Sequence, residues 1–146
     1  MNYIAIDPGK TGAIAWWDGE SVNVRKMGDT VTDIAEILRD MMANSVAWLE
    51  LVHSMPRDGV KGAFSFGQNF GQLQGVLSAL MIPYEEMPPE KWMKLLGRMP
   101  KDRAKRKKDI RDRMQKLYPH IKVTLVNADA LALLTVMMQT KSKEIG

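Results

Sequence analysis

A chain of 146 residues has room for one domain, and a composition of 45% hydrophobic and 26% charged residues excludes disorder and fibrous repeats. The absence of cysteine removes disulfide scaffolds, thiolate metal sites and cysteine nucleophiles, and His53 and His120 alone are too few for a histidine-rich metal site. Net charge is +4, from 21 basic and 17 acidic residues, and it is concentrated: Lys101 to Arg113 holds eight basic residues against Asp102, Asp109 and Asp112.

Tyr3 to Ile6 is an unbroken apolar run, the pattern of a strand buried on both faces, and it meets the turn signal Asp7-Pro8-Gly9. A second run, Ala13 to Trp17, ends at the hairpin signal Asp18-Gly19, and Ser21 to Met27 returns as a third, more polar strand. Residues 31–43 place Val31, Ile34, Ile37, Leu38 and Met41 at helical spacing. Val46 to Leu49 is another buried strand, closed by Glu50. A loop with Pro56, Gly59 and Gly62 leads to a helix expected from about Phe66 to Leu80. Ile82 to Met87 is a short strand, and Pro88-Pro89 opens a short helix through Leu96. The basic segment forms a helix ending near Tyr118-Pro119. A short run around Val123 precedes a last helix from about Asn127. The longest apolar run, Ala130 to Met138, is too short to span a bilayer. Asp7 and Lys10 interrupt any signal-peptide pattern, so no membrane contact and a cytoplasmic address are expected.

Three consecutive strands followed by α-β-α-β form an α/β fold. We expect one domain over residues 1–146, with a five-stranded mixed sheet: a three-strand antiparallel meander plus two parallel strands, and helices on both faces.

Two of the apolar strands end in carboxylates, Asp7 and Glu50. If these strands are parallel neighbours, both acids reach the same sheet edge, where ligands bind in open α/β sheets. On the last helix Asp129 shares a face with Leu133 and Val136, so it points inward. Three converging carboxylates repel, and either a pKa rises or a cation neutralises them. Hard oxygen donors without thiolate favour Mg²⁺ or Mn²⁺. Each acid also has an ordinary reading. Asp7 can begin a turn, Glu50 can pair with an arginine, and Asp129 can be a first-turn acid behind an Asn127 cap.

Gly9-Lys10-Thr11 is not a nucleotide-binding P-loop, because Ile4 stands where that motif needs glycine and a strand follows instead of a helix. Asp7 to Gly12 also resembles the first phosphate loop of actin-like sugar kinases, but the chain is too short for their two lobes. A longer set of segments carries a different resemblance. Ile6-Asp7-Pro8-Gly9 with Thr11-Gly12, Glu50 to Pro56, Phe64-Ser65-Phe66-Gly67, Gly71-Gln72-Leu73-Gln74-Gly75 and Ala128-Asp129-Ala130-Leu131 resemble, in order, the RuvC-like Holliday junction resolvases of the compact bacteriophage type. The resemblance implies a ribonuclease H-like fold, a homodimer, and cleavage of branched DNA with two Mg²⁺ or Mn²⁺ ions. By position, Asp7, Glu50 and Asp129 match the catalytic acids. Relatives often carry a further Asp or His where Val126 stands, so here either the second ion is incompletely held or the three acids share both ions.

In the basic helix Ile110, Met114 and Leu117 form a core stripe that continues through Lys107, Arg106 and Arg103. Lys107 is therefore expected to point along the sheet towards a scissile phosphate, and the resemblance implies DNA contact and catalysis by lysines in this region. Arg103, Lys105, Arg106 and Arg111 are further candidates for DNA contact, with Lys91 in the preceding helix. Gly67, Gly71, Gly75 and Ala79 recur every four residues, giving that helix one smooth face. Spacing alone allows either its own sheet or a second chain to cover this face, and the resemblance implies a dimer. Phe64 and Phe66, placed just ahead of the helix, suit stacking on an unpaired base or core burial. The four tryptophans and twelve methionines are read as core and interface filler.

The function expected is a metal-dependent endonuclease for four-way junctions, flaps and forks. The alternatives are a ribonuclease H-like nuclease acting on RNA or flaps, and a non-catalytic branched-DNA binding module.

Overall fold

The computed structural model describes residues 1–52 and 59–145. His53 to Pro56 of the motif, and the Pro56 loop, lie outside the described residues. Five strands, β1 (Asn2–Asp7), β2 (Ala13–Trp17), β3 (Val22–Lys26), β4 (Ser45–Glu50) and β5 (Tyr84–Met87), form one mixed sheet in the order β3-β2-β1-β4-β5. The β1–β2–β3 meander is antiparallel, and β1–β4 and β4–β5 pair in parallel. Both edges carry charges, Arg25 and Lys26 on β3 and Glu85 and Glu86 on β5, which discourages pairing with a further strand.

Alternation along the strands divides the core. Ile4, Ile6, Ile14, Ala47 and Leu49 face α1 (Val31–Arg39) and α2 (Gly59–Ala79). Ala5, Ala13, Ala15 and Trp48 face the other side, which holds α3 (Pro89–Leu96), α4 (Arg103–Leu117) and α5 (Ala128–Ile145). These alanines share one core with Ala128, Ala130 and Ala132 of α5, and the small side chains on both elements suit close packing of the helix on β1 and β2. That close approach brings the N-terminal turn of α5 to the ends of β1 and β4.

Several boundaries differ from those expected. The helix of residues 31–43 ends at Arg39, because Asp40 caps it and the chain turns through Asn44 at φ 55° into β4. A reciprocal Thr30–Asp33 capping box starts it. The long helix begins at Gly59, so Gly59 and Gly62 are helical and not loop residues, and Phe64 and Phe66 lie within α2, not ahead of it. β5 starts at Tyr84, after Pro83, and not at Ile82. The short run around Val123 is an irregular segment before α5, anchored by the buried Val123 side chain. There Thr124 and Asn127 bond each other reciprocally, so the Asn127 side chain accepts from Thr124 N–H and does not cap α5. Leu117, placed on the core stripe by spacing, is 55% exposed, since the stripe leaves the core after Met114 as the helix ends at Tyr118. Among the described residues no helix is long and apolar enough to cross a membrane.

Candidate active site

Strand parity places the acids. Asp7 follows Ala5, and Glu50 follows Trp48, so both project to the α3–α5 side of the sheet. Ile6 pairs with Leu49 in the parallel register, which makes Asp7 and Glu50 neighbours. Asp129 arrives from the first turn of α5. All three line one cavity of about 470 Å³.

Each acid is raised above its ordinary pKa. For Asp7 the causes are burial first, then repulsion by Glu50 and Asp129. Burial also pushes Glu50 up, to about 7. Burial raises Asp129 too, against the pull of Lys107, Arg106 and Arg103. Asp7 and Glu50 stand at the adjacent ends of β1 and β4, and two carboxylates so close repel unless a proton or a cation intervenes.

The cations come from α4. Arg103, Arg106 and Lys107 line the cavity with the acids, so the stripe that continues above Ile110 does turn towards the sheet end. Lys105 is exposed and does not line the cavity, nor does the exposed Lys91 of α3. Arg111 sits off the cavity beside Asp112, at 3.5 Å. Arg113 is occupied by Asp109 at 2.9 Å and by the Arg98 carbonyl.

The Asp7-Pro8-Gly9 turn is held from two sides. A side chain at Gly12 would collide with the Asp7 carbonyl, and Gly9 adopts φ 104°. Asn69 of α2, buried, accepts the Gly9 N–H at 2.7 Å. Phe66 lines the cavity beside this turn and stacks on Phe70, with ring centroids 6.4 Å apart. Phe64 points away, 73% exposed. Val126 also lines the cavity, with Leu125, so this part of its wall is apolar and supplies no further metal donor.

Two contributors were not singled out in the sequence. Trp92, read as filler, is fully buried and donates its indole N–H to Glu50 Oε2 at 2.5 Å, so the arginine partner considered for Glu50 is replaced by a neutral donor. Asn69 was overlooked, although it shares its stripe with Leu73, Val76 and Leu77, and a polar residue on a core stripe is a visible signal.

The glycine face of α2 is open. A side-chain carbon built at Gly67, Gly71 or Gly75 meets no atom within 4 Å among the described residues, so the chain's own sheet does not cover this face.

No family model and no curated protein matches the chain. Solved structures do. A structure of Thermus thermophilus RuvC superposes with TM-score 0.67 at 15% identity, covering 99% of this chain and 97% of that one. T. thermophilus RuvC in complex with a Holliday junction substrate superposes with TM-score 0.65 at 13% identity, covering 99% and 96%. The fold is RuvC-like. The five-stranded mixed sheet and its flanking helices are thus shared with RuvC over nearly the whole chain.

Among the described residues no three His, Asp or Glu side chains stand close enough to close on one ion. The donor chemistry nevertheless fits a hard divalent cation: three carboxylates, oxygen donors only, line one cavity, with Glu50 buried and Asp7 half-buried.

Proposed function

We propose that this chain is a divalent-metal-dependent endonuclease that resolves four-way DNA junctions, with flaps and forks as secondary substrates. The observation that carries the reading is one cavity holding both charge sets, with Asp7, Glu50 and Asp129 facing Arg103, Arg106 and Lys107. A phosphodiester needs both: cations for its oxygens and an anionic nest for metal beside the scissile bond. The RuvC neighbour solved with a Holliday junction supports the choice of branched DNA.

Asp7, Glu50 and Asp129 would hold Mg²⁺ or Mn²⁺, and with Val126 apolar they would share two ions among them. Bound there, the metal supplies activation of water and stabilisation of the leaving 3′-oxygen. Lys107 holds charge that develops on a non-bridging phosphate oxygen. Arg103 and Arg106 hold the strand to either side, while Lys105, Arg111 and Lys91 contribute outer phosphate contacts. Phe66 walls the cavity against bulk water, and exposed Phe64 offers a face for an unpaired base at the branch point. The uncovered Gly67-Gly71-Gly75 face is where a second copy packs, giving two active sites for the two strands of a junction. As a DNA enzyme it would work in the cytoplasm.

Cleavage of a synthetic four-way junction with Mg²⁺ or Mn²⁺, and its loss in EDTA, tests the reading. Competition with flap and RNA–DNA hybrid separates junction resolution from other ribonuclease H-like activities. Val126 favours one second reading, a non-catalytic branched-DNA binder, which would bind the junction without cutting it in either metal.

A further inference from the structure

Trp92 lies in α3 with its ring fully buried in the core shared by Trp48, Ile110 and Met114. Its indole N–H reaches Glu50 from 42 positions along the chain and engages Oε2. Pro89 and Met93, on the same helix, line the cavity, so α3 walls the site and reaches beneath it with one donor. Buried polar groups are costly unless bonded, and a core tryptophan aimed at a carboxylate meets that need for both partners.

The choice of donor is informative. An arginine in this place would orient Glu50 and also cancel its charge, competing with a cation. An indole N–H orients the carboxylate without adding a positive charge that competes with a cation. It engages Oε2 and makes no bond to Oε1. Trp48 makes the contrast plain: it is equally buried, 2% exposed, yet its indole N–H has no partner among the described residues. Core packing alone therefore does not account for the Trp92 bond.

We infer that Trp92 is a positioning residue for the metal-binding acid Glu50, holding its carboxylate in the orientation that receives a divalent cation. This rests on Glu50 being a metal-holding acid, and the test keeps the two ideas apart. Mn²⁺ binding is measured directly, from the electron paramagnetic resonance of the free ion, on the wild-type chain, W92F and W48F. Partners that orient metal ligands typically contribute about 10–100-fold in metal affinity. W92F is expected to raise the half-saturating Mn²⁺ concentration by about that factor, while W48F, a comparable loss of core volume, leaves it unchanged. Junction cleavage by W92F should recover at high Mn²⁺.

An unchanged midpoint in W92F, or equal shifts in W92F and W48F, overturns the role of Trp92. Wild-type protein that binds no Mn²⁺ removes the metal site itself, and the inference with it. A measurement that keeps Trp92 guards against misfolding of W92F. In W16F/W17F/W48F protein, Trp92 is the sole tryptophan, and its selectively excited emission should be quenched by paramagnetic Mn²⁺ along the binding curve. Emission indifferent to bound Mn²⁺ contradicts the proposal.

Discussion

Lys107 on α4 is the cation that most offsets the burial of Asp129 on α5, and both residues line the cavity that holds Asp7 and Glu50. In the proposed function a lysine so placed would act on the phosphate that the acids' metal addresses. Lys107→Ala is expected to lower single-turnover cleavage of saturated junction by about 10²–10³-fold, the usual loss on removing one preorganised donor. Cleavage at the wild-type rate under saturation would show that Lys107 only binds DNA.

Arg111 provides the contrast on the same helix. It lies off the cavity with Asp112 beside it, so Arg111→Ala should leave the saturated cleavage rate unchanged. Its effect belongs in binding, as a fall of at most about one in the salt-dependence slope. A slower chemical step in this variant would contradict the orientation of α4.

Asp7 costs stability in the absence of metal, because its half-buried carboxylate is desolvated and repelled by two other acids. Asp7→Asn should therefore abolish cleavage and at the same time raise the melting temperature in EDTA at pH 8. Each kcal/mol gained corresponds to about 2–4 °C in a domain of roughly this size. Junction binding should be retained or tightened, since the basic surface is untouched. A variant with near wild-type cleavage removes Asp7 from the chemistry.

The elevated acids set a pH dependence for the metal-free chain. Glu50 titrates at about 7 when folded against an ordinary value of 4.5, so between these values the folded state binds more protons than the unfolded one. Stability is then greatest below about pH 4.5 with respect to this group, and is lost as pH rises through about 7. Thermal melts in EDTA should show this decline, with Glu50→Gln flattening it. Mg²⁺ should restore stability at pH 8. Identical melts of wild type and Glu50→Gln across this range would show that Glu50 is not strained in the fold.

A leucine at Gly71 tests the dimer. The site has open space around it, so Gly71→Leu should leave the protomer as stable or better, by up to about 1 kcal/mol from helix propensity. Overpacking a close interface costs about 1–3 kcal/mol, roughly 5- to 150-fold in dimer dissociation. Sedimentation should find a wild-type dimer at micromolar concentration and a weakened one in the variant. A wild-type monomer at that concentration leaves the glycine face without the second copy assigned to it.

The positions of the acids were legible because strand parity is a local property. Alternation along β1 and β4 dictates that Asp7 follows Ala5 and Glu50 follows Trp48, and only their adjacency needed the register. Lys107 was legible for a similar reason, since helical spacing from Ile110 and Met114 settles its direction. The Trp92–Glu50 bond was not, because no local pattern reports a pairing 42 residues apart. The start of α2 was hidden by Gly59 and Gly62, whose turn preference was overridden by the longer helix. Spacing also could not say which chain covers the glycine face of α2, because a smooth stripe looks the same whether its own sheet or a second copy packs on it.

One measurement bears most directly on the whole proposal: cleavage of a synthetic four-way junction by purified protein in Mg²⁺ or Mn²⁺, beside Asp7→Asn under the same conditions. Wild-type protein should cut the junction into nicked duplexes, dependent on the divalent ion, and the variant should bind it without cutting. Wild-type protein that binds the junction and leaves it intact in both metals would contradict the nuclease reading and make the chain a branched-DNA binding module.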